Sequence, residues 1–249
     1  MHQFVRAIHW IFTASHWDVV NLQSGIRAQL AYHIELSAIS LAVAAAIAIP
    51  VGLAVGHKRR GQFLAVSIAN VGRAIPSFAL VVLLFIAVGN IWPTLQLSML
   101  PTAIALVLLA IPPILTNTYV GIQEVDADTV EAARGLGFSG RQILTRIEIP
   151  LAAPLTMAGL RTSAVTVVAT ATLAAFAGGG GLGVFLYNGF AQHGQEPQLI
   201  GGAILVAVLA LVTELVFAGL ERLVTPRTRS GRNVKGAARA AEPPAALPA

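Results

Sequence analysis

The chain has 249 residues, of which 56% are hydrophobic and 11% charged, with a mean hydropathy of +0.76; this excludes an ordinary soluble domain, in which about a quarter of residues are charged. The expected class is an all-α, polytopic helical membrane protein. Cysteine is absent, which excludes disulfides, thiolate metal sites and a catalytic cysteine, and the net charge of +5 belongs to membrane topology rather than to a nucleic-acid surface, because its cations cluster beside apolar runs and in the tail.

Residues 1–30 hold short apolar runs broken by His2, Arg6, His9, His16, Asp18 and Arg27, with Trp10 and Trp17 among them. No run reaches the roughly 20 apolar residues of a spanning helix, and no basic stretch precedes a small-residue cleavage site. An outer-side, interfacial amphipathic segment is expected. The histidines recur every seven residues, a spacing without metal geometry, so no metal site is expected.

Leu36 to Gly56 is uncharged over 21 residues and reads as the first span, with Pro50 near its inner end and His57-Lys58-Arg59-Arg60 closing it. A second apolar segment runs from Phe63 to Val88, interrupted at Arg73 and Pro76. Gly89-Asn90-Ile91-Trp92-Pro93 is a loop by composition, and a third span follows from Met99 to Thr118. The fourth covers Ala152 to Phe176 and the fifth Leu199 to Leu220, which places a transmembrane domain at 31–222. Residues 223–249, rich in Arg, Ala and Pro, lack the apolar content to fold and are expected to be a disordered basic cytoplasmic tail in contact with anionic lipid.

Alternation of five spans with the N-terminus outside and the C-terminus cytoplasmic puts on the inner side Lys58, Arg59, Arg60, Arg134, Arg141, Arg146, Arg222, Arg227, Arg229, Arg232, Lys235 and Arg239, twelve of the 16 cations. Trp10, Trp17, Tyr32, Trp92 and Tyr187 then lie near the outer face and Tyr119 near the inner one. A sixth span, made by splitting the second segment at Pro76, would set Lys58 to Arg60 and Arg134 to Arg146 on opposite sides, against the charge bias.

The inner loop 124–150 is the longest polar stretch between apolar ones. Asp128 with Glu131, and Ser139 with Gln142, have capping-box spacing and predict two short helices. Gly135 and Gly137 supply the break between them, and Pro150 is expected to open the next span. Val130, Ala133 and Leu136, and then Ile143, Leu144 and Ile147, fall at helical spacing and give each helix an apolar face.

Within this loop the chain reads Glu131-Ala132-Ala133, three residues, Gly137, nine residues, Ile147, one residue, Ile149, Pro150. The pattern resembles the EAA loop of the permease subunits of bacterial ABC importers, with Ile149 in place of the usual Leu. Arg73-Ala74-Ile75-Pro76-Ser77-Phe78-Ala79-Leu80, Asn117-Thr118-Tyr119-Val120-Gly121-Ile122, Gly159-Leu160-Arg161-Thr162, Ala171-Thr172-Leu173-Ala174-Ala175 and Gly178-Gly179-Gly180-Gly181-Leu182-Gly183 extend the likeness. Together they resemble the osmoprotectant branch, the importers of glycine betaine, carnitine and choline.

The resemblance implies a type I importer permease in a bacterial plasma membrane. Its coupling loop would present Glu131, Ala132, Ala133, Gly137, Ile147 and Pro150 to a separate ABC ATPase subunit. An extracytoplasmic substrate-binding protein and a second permease copy or paralogue would complete the machine, and no fused receptor domain follows the permease. The chain would carry no cofactor of its own, since ATP is bound by the partner subunit; in keeping with that, no G-x-x-x-x-G-K-[ST] occurs in the sequence.

Arg73 and Arg161 lie about ten residues inside apolar segments and Glu214 lies inside the fifth. Charges at that depth either line or gate a translocation path or pair with carboxylates and carbonyls to hold helices together. Pairing is the preferred expectation for the two arginines, because an unpaired Arg would repel a cationic substrate. Gly178, Gly180 and Gly183 satisfy G-x-G-x-x-G, but a span rather than a strand precedes them, so a tight outer turn is expected instead of a dinucleotide site. Phe78, Phe85, Phe176, Phe185, Tyr187 and Phe190 are too scattered along the chain to assign to a cation–π cage. The alternatives are a permease for another betaine-like solute or an amino acid, a stand-alone secondary transporter, which no visible inverted repeat supports, and a membrane enzyme, for which no catalytic constellation exists.

Overall fold

The computed structural model describes residues 2–17, 25–59, 74–192 and 194–224, together with Gly61, Phe63 and Ser67. Its helices are α1 (His2–Phe12), α2 (Ile26–Lys58), α3 (Ser77–Ile91), α4 (Leu100–Gln123), α5 (Ala127–Gly135), α6 (Gly140–Ala177), α7 (Gly183–Ala191) and α8 (Glu196–Val224). Among the described residues there is no strand. By length and composition α2, α4, α6 and α8 can each cross a membrane. The second predicted span is represented by α3, whose 15 residues rise only about 22 Å; most of its first part, including Arg73, lies outside the described residues, as do Asp18 and the tail from 225 onward.

Two predicted boundaries move. The first span begins ten residues before Leu36, because α2 runs on through Arg27 and Glu35, and its 33 residues rise about 50 Å, well beyond the roughly 30 Å hydrocarbon core. Gly89 and Asn90 are helical, since α3 continues to Ile91; the turn falls later, at the 3-10 turn Pro93–Leu95.

The core is a seam between α2, α4 and α6, where Leu36, Ala44 and Ala48 meet Leu106, Ala110, Ile114 and Leu115 and then Val167, Ala171 and Ala174. Small residues set the spacing. A Cβ on Gly52 would lie 2.8 Å from Thr118 Cβ, and one on Gly56 would lie 2.7 Å from Ile122 Cβ, so α2 and α4 touch almost backbone to backbone. Ser163 on α6 donates to the Ala110 carbonyl at 2.9 Å, adding a polar tie within the same seam.

Helix α1 is amphipathic, and protein covers one strip of its apolar surface, while Phe4, Val5, Ile8 and Phe12 remain exposed. Ala7 and Ile11 are buried, and Trp10 lies edge-on to Phe185 of α7 with centroids 5.3 Å apart. His16 donates through Nδ1 to the Trp10 carbonyl at 2.8 Å and stacks on the Trp10 ring, a structural role. Among the described residues no group of His, Cys, Asp and Glu could hold a metal ion.

The glycine run forms the tight turn its composition suggests, with left-handed φ at Gly178 (+73°) and Gly181 (+97°). Helix α2 pins it from the side. Gly181 N–H donates to Gln29 Oε1 at 2.6 Å, and Leu182 N–H donates to His33 Nδ1 at 3.2 Å. His33 Nε2 in turn donates to the Val168 carbonyl at 2.9 Å, so one buried imidazole ties α2 to both sides of the turn.

Candidate functional site

The loop 124–150 folds around a small core of its own. Val125, Val130, Ala133 and Ile143 are buried, with Phe138 and Ile147 packed against them. Ala133 and Ile147 therefore face inward and stabilise the loop, while Glu131, Ala132, Arg134 and Gly137 are exposed on its outside. Leu136 departs from the apolar face expected of it and is 79% exposed, because the chain turns away at Gly137, whose φ is +84°. A Cβ built on Gly137 meets nothing within 4 Å. The outer surface of the loop is thus a ridge of Glu131, Ala132, Leu136 and Gly137 set on a packed base.

The first short helix starts earlier than the Asp128–Glu131 spacing predicts. Asp126 is the N-cap and accepts from Thr129 N–H at 2.9 Å, leaving Asp128 in the first turn beside the positive end of the helix dipole. Gly135 is helical, so Gly137 alone provides the left-handed break. The Ser139–Gln142 capping box is present in both directions, at 3.4 and 2.8 Å.

The second short helix is not separate from the following span, and Pro150 does not open a new helix. α6 continues from Gly140 through a π-turn at Leu144–Glu148 into Ile149–Thr170. Pro150 has no N–H to give to the Arg146 carbonyl and its ring crowds that oxygen, so the backbone widens by one residue immediately before it. From Gly140 onward the second half of the loop and the span are consequently one continuous rod.

Glu148 lies in that π-turn, buried, with its carboxylate accepting from His57 Nδ1 at 2.5 Å. His57 is in the last turn of α2, so the base of the loop is fastened to the C-terminal end of the first span. Sequence reasoning missed this pair: His57 enters only in the run that closes the first span and Glu148 is not singled out, and their separation of 91 residues leaves no local signal.

Arg161 pairs with carboxylates, as its depth in the span suggests. Its Nε donates to Glu214 at 2.8 Å and its Nη1 to Glu221 at 3.0 Å, while Nη2 makes a second contact with Glu214. Glu221 was not anticipated, although it stands seven residues after Glu214 and so occupies the same face of α8 two turns on. The trio joins α6 to α8 and carries a net formal charge of −1.

Cavities flank these ties. One of about 450 Å³ is almost wholly apolar and lies between α2, α6 and α8, against Leu41, Leu160, Val168 and Phe217. Another, of about 540 Å³, adjoins the loop and is lined in part by Glu124, Asp126 and Glu221. Three of the aromatic residues that look scattered along the chain are also brought together: Phe176 lies within 6 Å, centroid to centroid, of both Phe78 and Tyr187. Phe185 instead packs under Trp10, and Phe190 is 81% exposed.

Comparison with known proteins places this architecture. Residues 29–230 match the family model described as binding-protein-dependent transport system inner membrane component. The glycine betaine/carnitine/choline transport system permease protein OpuCB of Bacillus subtilis is 35% identical over 199 residues, covering 80% of this chain and 88% of that one. The carnitine transport permease protein OpuCB of Listeria monocytogenes is 40% identical over 195 residues, covering 78% and 84%. Among solved structures, the inward-facing MetNI methionine ABC transporter superposes with a TM-score of 0.70 at 22% identity over 81% of this chain and 96% of that one. The helical fold is therefore that of an ABC importer transmembrane subunit, and the chain belongs to the family of binding-protein-dependent transport system inner membrane components, a transport permease rather than an enzyme.

Proposed function

We propose that this permease carries quaternary-amine osmoprotectants of the glycine betaine, carnitine and choline type across the plasma membrane, powered by a separate ATPase subunit. The observation that carries the substrate class is the likeness, at 35% and 40% identity over most of each chain, to permeases named for those compounds. A soluble extracytoplasmic binding protein delivers the substrate, and a second copy of this chain or a paralogue forms the other half of the pore. The permease itself holds no cofactor, and ATP is bound by the partner.

The loop 124–150 is the docking element for the ATPase. Glu131, Ala132 and Gly137 form the contact ridge together with Leu136, whereas Ala133 and Ile147 pack the base beneath it and Pro150 sets the rod direction. Small residues on the ridge allow a close approach, and the packing of Val130 and Ala133 beneath the ridge on Ile143 and Ile147 of α6 passes its movement to the span. In this orientation the N-terminal segment 1–30 is outside, the domain 31–222 spans the membrane, and the basic tail 223–249 is cytoplasmic beside anionic lipid. Arg161 and Glu214 act as a helix tie beside the path rather than as a binding site for the cation.

The test is uptake of labelled glycine betaine into proteoliposomes containing this permease, its ATPase and its binding protein, with and without ATP on the ATPase side. ATP-dependent uptake competed by choline or carnitine is expected. ATP hydrolysis stimulated by the loaded binding protein without uptake of any quaternary amine would overturn the substrate class, and uptake without the ATPase would overturn the docking role of the loop.

A further inference from the structure

The rings of Phe78, Phe176 and Tyr187 meet from three elements distant in sequence: the first turn of α3, the last 3-10 turn of α6 and the middle of α7. Phe176 stands at 90° to Phe78 with centroids 5.9 Å apart, and at 86° to Tyr187 with centroids 5.4 Å apart. These are favourable edge-to-face contacts that fix the three rings relative to one another. The chain's own core does not consume them, since Phe78 is 49%, Phe176 43% and Tyr187 44% exposed.

Phe78 is two turns, about 10 Å, along α3 from Phe85, and Phe85 is the ring that approaches the left-handed turn at Gly178. The cluster therefore adjoins the glycine turn, with Phe176 two residues before Gly178 and Tyr187 on the helix that follows it, among apolar segments of the chain. Phe176 lies where α6 tightens into a 3-10 helix and then stops at Gly178. Irregular backbone at such depth is tolerated where it is covered by protein or borders a water-filled cavity, not where it faces hydrocarbon.

We propose that Phe78, Phe176 and Tyr187 form a transient cation–π station for the quaternary ammonium group of the substrate on its way through the permease. This rests on the substrate class inferred above and adds where in the membrane subunit the cation is held. A quaternary ammonium is a permanent, diffuse charge with no strong hydrogen-bond donor, so aromatic rings suit it and a polar cage is not needed. The electrostatics nearby permit its passage: no charged residue occurs from Ala74 to Gln123, and Arg161 is held by two carboxylates. Without a carboxylate in the ring cluster the station is weak, which suits a site that must release what it binds.

The experiment uses the complete transporter in proteoliposomes, with labelled choline as probe, and reads choline taken up per ATP hydrolysed at saturating binding protein. Phe176→Leu keeps an apolar side chain and removes the ring, and is expected to lower that ratio about five- to tenfold, while Phe176→Tyr restores most of it. Phe78→Leu and Tyr187→Leu are expected to act in the same direction, and they decide the matter should Phe176→Leu fail to assemble; Tyr187→Phe is expected to be neutral. Wild-type ratios in all three leucine variants would overturn the station, as would a Phe176→Tyr variant as impaired as Phe176→Leu. Failure of the wild-type transporter to take up choline, glycine betaine or carnitine despite stimulated ATP hydrolysis would instead remove the substrate class on which the station rests.

Discussion

His57 Nδ1 lies 2.5 Å from the Glu148 carboxylate and fastens the C-terminal end of α2 to the π-turn at the base of the loop 124–150. The carboxylate is buried, so removing its partner strands an acceptor without compensation from water. His57→Ala is expected to lower stability by about 1–3 kcal/mol, and Glu148→Gln, which keeps an acceptor oxygen for the imidazole, by less. Thermal unfolding of the detergent-solubilised transporter reads this order. The same pair is a direct polar link from the base of the loop to α2. His57→Ala is therefore also expected to reduce substrate moved per ATP hydrolysed, and an unchanged ratio would show that α6 alone carries the stroke.

Gly137 separates backbone demand from docking demand. Its φ of +84° costs a side-chain-bearing residue about 1–2 kcal/mol, while the space around it is open. Asn tolerates left-handed backbone better than other residues, so Gly137→Asn is expected to insert and remain stable while adding bulk to the ridge. ATP hydrolysis without proportionate uptake is the expected outcome. Coupled uptake at the wild-type level from Gly137→Asn would remove Gly137 from the contact surface.

The spans were legible because a bilayer demands about 20 apolar residues in a row, and Leu36 to Gly56 is uncharged throughout. Their ends were not, since Arg27 and Glu35 fall where α2 emerges from the apolar zone and helix continues in polar sequence. The Ser139–Gln142 box was legible as a local spacing of three residues. Pro150 misled because proline favours a first turn yet also sits inside helices that widen to receive it. His57 with Glu148, and Phe78 with Phe176 and Tyr187, were invisible for a different reason: each meeting is made by packing between distant elements, and neither leaves a trace in local spacing.

Arg161 with Glu214 and Glu221 supplies a charge-balance test. Arg161→Ala removes the cation that Glu214 and Glu221 share across two turns of α8, and a lower unfolding temperature is expected. Replacing all three residues by uncharged ones removes the repulsion as well as the attraction, so the triple variant is expected to be more stable than Arg161→Ala alone. If uptake also returns in the triple variant, the trio is a tie between α6 and α8. Loss of uptake in a stable triple variant would assign the carboxylates a part in the path.

The contact at Gly56 tests whether α2 and α4 move as one body. A Cβ there would overlap Ile122, 2.7 Å away, and would also approach the Tyr119 carbonyl at 3.0 Å, so Gly56→Ala must push the two helices apart near their inner ends. Overpacking of this kind costs about 1–3 kcal/mol. Trimming the opposing side chain by Ile122→Ala in the same chain removes the Cγ2 contact at 2.9 Å but leaves the Cβ overlap and the approach to the carbonyl, so only a small recovery is expected. Unfolding temperature and ATP-dependent uptake are expected to fall together in Gly56→Ala and to rise together in the double variant, because the seam that stabilises the domain is also the surface along which α2 follows the loop. Recovery of stability without recovery of uptake would separate the two roles and show that α2 must slide on α4 during transport.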